Sequence, residues 1–457
     1  MATLARRLAE WVEGFTFKDI KGDELLEIKK RFVDTMAVAV GAFNEEPVRI
    51  ARWLAESTGG SRLPATVWGS CVRAAFDHAA FANGCAVRYL DFNDTYLSKE
   101  ALHPSDIIPA LVAASEISDA DGRSLVEGIA VAYEIAARLA DAYSVRGRGW
   151  DHVTYIAIAA AAGASKVLGL RAERIEQAIN IATTIAPVLR QTRAGEMSMW
   201  KACAASNAAR DGLLAAVLAS KGMTGPSPVF EGKFGFFKVA LGGETFNIEE
   251  LGGRLKVMET SIKYWPVEYH SMSAVDAALK VREKAGPLKP EDVESVEIKT
   301  FTVSYKIIVE DPEKWDPKTR ETADHSLPYI VAATLLDGKV WLETFNPERV
   351  LAQDVRVVMK RTRIDVDPEY DKVYPKGIPN KVKVKLKDGR VYEEEVTYPP
   401  GHFMNPLTVE KVEDKFWALT RGLVEEEGAK GFLAGSWALE NVGDVGRLVR
   451  RIRVKSV

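Results

Sequence analysis

Only three cysteines occur in the 457 residues, Cys71, Cys85 and Cys203. Their odd number, wide spacing and lack of a CxxC pair argue against a disulfide framework. Small buried side chains are the expected use, and the wide separation gives an iron–sulfur cluster little support. An excess of one charge is also missing: 61 Lys and Arg face 64 Asp and Glu, a net charge of -3, with no basic tail. Nothing in that balance selects a nucleic-acid partner. Charges or alanines interrupt the apolar stretches, so none reads as a membrane span. Arg6 and Arg7 lead into Glu10 and Glu13 rather than into the apolar core of a signal peptide. The expectation is a cytoplasmic protein without membrane contact. No strand-linked GxGxxG and no GxxxxGK[ST] loop is found; Gly232–Gly235 reads as a plain loop. No HExxH or tight Cys/His set argues for zinc. A carboxylate cage for magnesium fits the His- and Lys-bearing segments less well than direct acid–base chemistry. We therefore expect no cofactor and no metal.

What is present is a long chain with 47% hydrophobic residues, enough for two or three folding units. Apolar residues recur at helical spacing from Leu25 to Phe43, and again over Ile107–Glu116, Leu125–Tyr143, Tyr155–Leu168 and Ala202–Leu218. The alanines at 159–162 and Gly163 suit close helix packing. This first half reads as almost entirely helical. After about residue 290 the period changes. Val296 and Ile298, then Phe301, Val303 and Tyr305, and later Val355, Val357 and Met359, alternate as strands do. Val382, Val384 and Leu386 precede Asp388–Gly389, and Val391 resumes, which is a hairpin signal. Helical character returns around Pro328 through Leu336, and from Thr408 to Val424. The expected fold is mainly α with an inserted α/β domain: 1–268 and 401–457 form a discontinuous helical domain around an α/β domain at 269–400.

The densest polar segment is Arg88-Tyr-Leu-Asp-Phe-Asn-Asp-Thr95, followed by His103-Pro-Ser105. Asp91 and Asp94, three apart, would face one space on a helical turn. His103 adds a group that changes charge near neutrality. Turn capping by the aspartates and simple surface exposure of His103 are the ordinary alternatives. Further on come Gly149-Trp-Asp-His152, Gln191-Thr-Arg193 with Lys201, Ser261-Ile-Lys263-Tyr-Trp-Pro-Val-Glu-Tyr-His270, and Ala323-Asp-His-Ser-Leu-Pro328. His152 also suits a helix cap, and His270 and His325 divide evenly between cleft and structural roles. His78 and His402 read as structural and loop residues.

With these segments the sequence strongly resembles the MmgE/PrpD family. That family comprises 2-methylcitrate dehydratases and relatives that include cis-aconitate decarboxylases and an epimerase. The resemblance runs from about residue 20 to beyond residue 400, and the Gly149–His152 and Lys263–His270 stretches resemble the methylcitrate branch. It implies a large helical domain with an inserted α/β domain, a homodimer, and no iron–sulfur cluster. It also implies a cleft lined by Asp91, Thr95, His103, His152, Lys201 and Lys263. The implied reaction is dehydration of 2-methylcitrate, a tricarboxylate, to 2-methyl-cis-aconitate. Carboxylates must be held, a carbon-bound proton removed and a hydroxide protonated. Arg193, Lys201 and Lys263 suit the first task, with Asp94 and His270 as further substrate-binding candidates. His152 is expected to transfer the main proton, with His103 across the substrate and Asp91 raising the pKa of one imidazole. Thr95 would bond a substrate carboxylate. Where many relatives have Asp-Phe-Asp, this chain has Asp91-Phe92-Asn93, and an amide at position 93 brings no negative charge. Cis-aconitate decarboxylation, citrate dehydration and epimerisation are the enzymatic alternatives; a non-catalytic carboxylate-binding or assembly protein is the alternative of another class.

Overall fold

The computed structural model describes residues 2–195, 197–248 and 250–455. The chain forms two compact units. One comprises Met1–Arg193, Met199–Thr260 and Thr408–Val457; the other comprises Ala194–Ser198 and Ser261–Leu407. The first is mainly helical and the second carries a four-stranded sheet, so the fold is mainly α with a smaller β-containing unit. The division after Thr260 puts Lys263 in the smaller unit.

In the helical unit, the Gly22–Gly41 helix buries Ile28, Phe32, Val33, Met36 and Val40, the stripe expected of an amphipathic helix. The central helix, Val153–Val167, buries Ala159, Ala160, Ala161 and Ala162 completely. The Trp200–Ser220 helix packs along it. Gly212 permits that approach, because a Cβ there would overlap the Ala157 carbonyl oxygen. The first half is not purely helical. A short antiparallel ribbon pairs β1 (Pro64–Thr66) with β2 (Arg73–Ala75), and three-residue strands carry no readable period.

The chain returns to this unit through the Val409–Thr420 helix, whose N-cap Thr408 accepts from the Lys411 N–H at 3.3 Å. This helix packs on Gly22–Gly41. Lys415 reaches inward to Asp34 at 2.7 Å, with both side chains 2% exposed. The same ammonium donates to the Phe92 carbonyl at 2.8 Å. A residue from the end of the chain thus fixes the loop that follows the Phe76–Tyr89 helix.

The smaller unit's sheet has the order β4-β3-β5-β6. Its strands are β3 (Val293–Thr300), β4 (Thr362–Val366), β5 (Asn380–Leu386) and β6 (Val391–Val396). β3 runs parallel to β4 and antiparallel to β5, with Ile298 opposite both Ile364 and Val382. The β5–β6 hairpin turns at Asp388–Gly389, where Gly389 has φ of +92°, so the hairpin read from the sequence is present. The Met272–Ala285 helix packs against β5 and β6, and Leu327–Asp337 packs against that helix.

Two expected strands are helices. Residues 302–308 form a helix that buries Ser304 and Ile308 and leaves Tyr305 partly exposed. Gln353–Met359 likewise buries Val355, Val358 and Met359 while Val357 is exposed. Over five to seven residues, apolar side chains at i and i+4 suit either period, and the helix turns the i+2 side chain outward, as at Val357. Among the described residues, no helix is long and apolar enough to cross a membrane.

Candidate acid–base site

The helical unit brings one polar cluster together from three stretches. The Phe76–Tyr89 helix takes in only Arg88 and Tyr89 of the densest segment, so Asp91 and Asp94 do not share a helical turn as expected. Asp91 instead has φ of +51°, in the left-handed region that side chains other than glycine seldom adopt. That turn points its carboxylate back at Arg88, 2.5 Å from the guanidinium, with Lys201 Nζ at 3.6 Å. Asp94 turns the other way. It accepts from the Ser105 N–H at 3.0 Å, the Ser105 hydroxyl at 2.6 Å and the Tyr133 hydroxyl at 2.6 Å, and is fully buried. Its two oxygens anchor the loop, which leaves the carboxylate poorly placed for the substrate-binding task expected of it.

His103 is held at both nitrogens. Nδ1 lies 2.6 Å from the Asp94 carbonyl, which only accepts, and 3.2 Å from Thr95 Oγ1. Nε2 lies 3.1 Å from Arg88 Nη2, which only donates. These partners place the proton on Nδ1 and leave the imidazole neutral.

His152 sits immediately before the Val153–Val167 helix, in a segment built by pairing with residues 188–190. The Asp151 N–H donates to the Val188 carbonyl at 2.7 Å, and the Arg190 N–H to the Gly149 carbonyl at 2.9 Å. That pairing carries Arg193 to Asp151, with Nε 2.9 Å from Oδ2, while Asp151 Oδ1 lies 3.0 Å from His152 Nδ1. Nε2 of His152 has no hydrogen-bond partner among the described residues. Burial holds the imidazole's pKa well below its usual value; Asp151 opposes this, and Arg193, Arg88 and Arg190 add to it. Asp91 was expected to raise the pKa of an imidazole, but it is engaged by cations. The carboxylate beside His152 is Asp151, and burial keeps that imidazole neutral.

The His103 and His152 rings stand edge to face with centroids 5.6 Å apart. A substrate between them would need van der Waals contact on both sides, about 7–8 Å in all. His103 is therefore beside His152, not across a substrate from it. The cluster is rich in cations. Burial and Arg146 lower the pKa of Arg190, and Lys201 is only 5% exposed. Arg88, Asp151 and Arg190 received no role from the sequence, although Arg88 and Asp151 lie inside the motifs that marked the site. Thr95 is buried beside His103.

The smaller unit carries its own polar array. Lys263 is 1% exposed. Glu268 caps the turn Tyr269–Ser271, accepting from the His270 N–H at 2.8 Å and lying 2.7 Å from its Nδ1. Nε2 of His270 is 3.4 Å from the Tyr374 hydroxyl. The Asp324 carboxylate lies 2.5 Å from His325 Nδ1, and the Glu268 N–H donates to the Asp324 carbonyl at 2.8 Å. Burial would raise the Glu268 carboxyl, yet His270, His325 and Lys263 hold it down to about 2. Glu268 and Asp324 went unassigned because a carboxylate two residues, or one, from a histidine is common in any surface turn. His402 is buried in a loop, and burial lowers its pKa to about 4. A cavity of about 1180 Å³ lined by Arg7, Glu231, Phe237 and Phe246 contains none of these residues.

Residues 6–249 match the MmgE/PrpD N-terminal domain, and residues 265–441 match the MmgE/PrpD C-terminal domain. The chain belongs to the MmgE/PrpD family. It is similar to the 2-methylcitrate dehydratase of Escherichia coli O157:H7, 32% identical over 361 residues that cover 74% of each chain. The mitochondrial 2-methylcitrate dehydratase of Yarrowia lipolytica is 29% identical over 385 residues, 78% of this chain and 72% of the relative. The cis-aconitate decarboxylase of Mus musculus is 26% identical across the whole of this chain and 95% of its own. In this MmgE/PrpD chain, Asn93 donates to Ser105 Oγ and to Asp106 Oδ1, both at 2.9 Å. Burial pushes Asp106 up to about 7, with Asp94 adding to it and Arg88 opposing. An amide at position 93 spares this buried group a further carboxylate.

Proposed function

We propose that this protein removes water from 2-methylcitrate, giving 2-methyl-cis-aconitate by acid–base catalysis without a metal. The coarser part, a dehydratase-type enzyme, follows from family membership. The observation that carries the finer reading is the neutral His152 with its unpartnered Nε2, set among Arg88, Arg190 and Arg193.

In this reading His152 Nε2 takes the proton from the methyl-bearing carbon, and Asp151 stabilises the imidazolium that forms. The C–H electrons become the new double bond as the neighbouring C–O bond breaks. His103 gives the departing hydroxide its proton from Nε2, which must first be charged as Arg88 turns from that nitrogen to a substrate carboxylate. Negative charge on a bound tricarboxylate offsets Arg88 and favours that charged form. With both imidazoles side by side, hydrogen and hydroxyl leave from the same face. Arg193 and Lys201 hold carboxylates, and Thr95 bonds one of them. Asp91 orients Arg88 and Lys201.

Mass spectrometry of 2-methylcitrate incubations should show water loss, while a gas assay on cis-aconitate should register little carbon dioxide. Rapid decarboxylation, with no dehydration of any 2-methylcitrate stereoisomer, would move the protein to the decarboxylase branch.

A further inference from the structure

Cys85 and Cys203 are 118 residues apart in sequence, yet their sulfurs lie 2.6 Å apart in the helical unit. Cys85 belongs to the Phe76–Tyr89 helix and Cys203 to the first turn of Trp200–Ser220. The two helices are drawn together by small residues. A Cβ at Gly84 would lie 2.6 Å from the Ser206 Cβ, so only glycine permits this approach. The Ser206 hydroxyl in turn lies 3.4 Å from Cys85 Sγ. Cys85 is fully buried and Cys203 is 6% exposed. No catalytic step proposed above uses either thiol.

We propose that Cys85 and Cys203 are a redox site that closes as a reversible disulfide between these two helices. The bond requires sulfurs about 2.05 Å apart on facing side chains, a small adjustment from the contact already present. The oxidant is a small-molecule disulfide such as oxidised glutathione. Cys203, the more accessible thiol, loses its proton and attacks that disulfide, releasing one thiol and forming a mixed disulfide. Cys85 then loses its proton and attacks the Cys203 sulfur, releasing the second thiol. Two protein thiols are oxidised, one small disulfide is reduced, and the two protons leave on the released thiols.

The location gives the bond a consequence. Cys85 lies one turn before Arg88, and Cys203 two residues after Lys201. The cross-link would therefore pin together the two helices whose ends hold Asp91 between these cations. Cys71, half-buried near the Arg450 and Ile452 carbonyls, stays outside the pair.

The test needs no substrate and is independent of the proposed reaction. The whole protein is equilibrated with oxidised glutathione or with dithiothreitol, unfolded in the presence of an alkylating reagent, digested and mapped by mass spectrometry. In the oxidised arm, the peptides carrying Cys85 and Cys203 should be joined, about 2 Da lighter than the sum of the two thiol peptides. In the reduced arm both should carry the alkyl label. In Cys203→Ala, Cys85 should take the label in the oxidised arm as well. Full labelling of Cys85 and Cys203 in both arms of the wild type, or separate glutathione adducts on each, would overturn the proposal.

Discussion

At the scale of single residues, the decisive feature is where protons sit on His103 and His152. The motifs pointed to both histidines, to Arg193 and to Lys201, because chemically useful side chains recur there within a few residues. They did not reveal which carboxylate faces which imidazole. That pairing follows from the left-handed turn at Asp91 and from the pairing of residues 149–151 with 188–190, neither of which has a local sequence signal. An ordinary imidazole is half protonated at about pH 6.5. Because burial lowers the His152 value, its neutral form persists as pH falls through that point and is lost only further into acid. Histidine-selective 15N NMR near pH 6 should therefore show His152 protonated at Nδ1 and bare at Nε2. Half-protonation at or above pH 6.5 would contradict this. His152→Ala should reduce turnover by roughly 100- to 10,000-fold while substrate binding, followed by calorimetry, changes little. Wild-type turnover in a folded variant would demote His152 to a structural residue.

At the scale of elements, the long helices were readable because eleven or more residues distinguish a period of 3.6 from a period of 2. The helices at 302–308 and 353–359 were not, since a short alternating run mimics a strand even where a helix leaves one of its apolar residues outside. Contacts between distant elements had no signal at all. Lys415 is the clearest case: a lysine in an amphipathic helix reads as solvent-facing, yet it is buried against Asp34 and the Phe92 carbonyl. Burial raises the Asp34 pKa and Lys415 opposes that rise. Removing the cation leaves a buried charge without its partner. Lys415→Met should cost about 3–5 kcal/mol of stability in chemical denaturation. Asp34→Leu combined with Lys415→Met should recover much of that loss. A single variant as stable as the wild type would show that the pair does not hold the return helix in place.

At the scale of the whole molecule, the division into a discontinuous helical unit and an inserted α/β unit was legible from the change of period near residue 290 and its reversal after residue 408. Assembly is not written in those periods. The homodimer that we propose from the family resemblance should appear in light scattering over a range of concentrations, and a fully active monomer throughout would refute it. Substrate choice also belongs to this scale, since a cationic cleft accepts citrate, cis-aconitate and 2-methylcitrate alike on charge. A methyl group filling an apolar recess contributes roughly 1–3 kcal/mol to discrimination, about 10- to 200-fold in rate. The most direct measurement is therefore a competition assay by mass spectrometry, with protein stripped by a chelator and supplied with all three acids. 2-Methylcitrate should lose water fastest, citrate more slowly by about that factor, and added metal should change neither rate. Turnover that appears only when one metal is restored, or carbon dioxide from cis-aconitate as the main product, would contradict this.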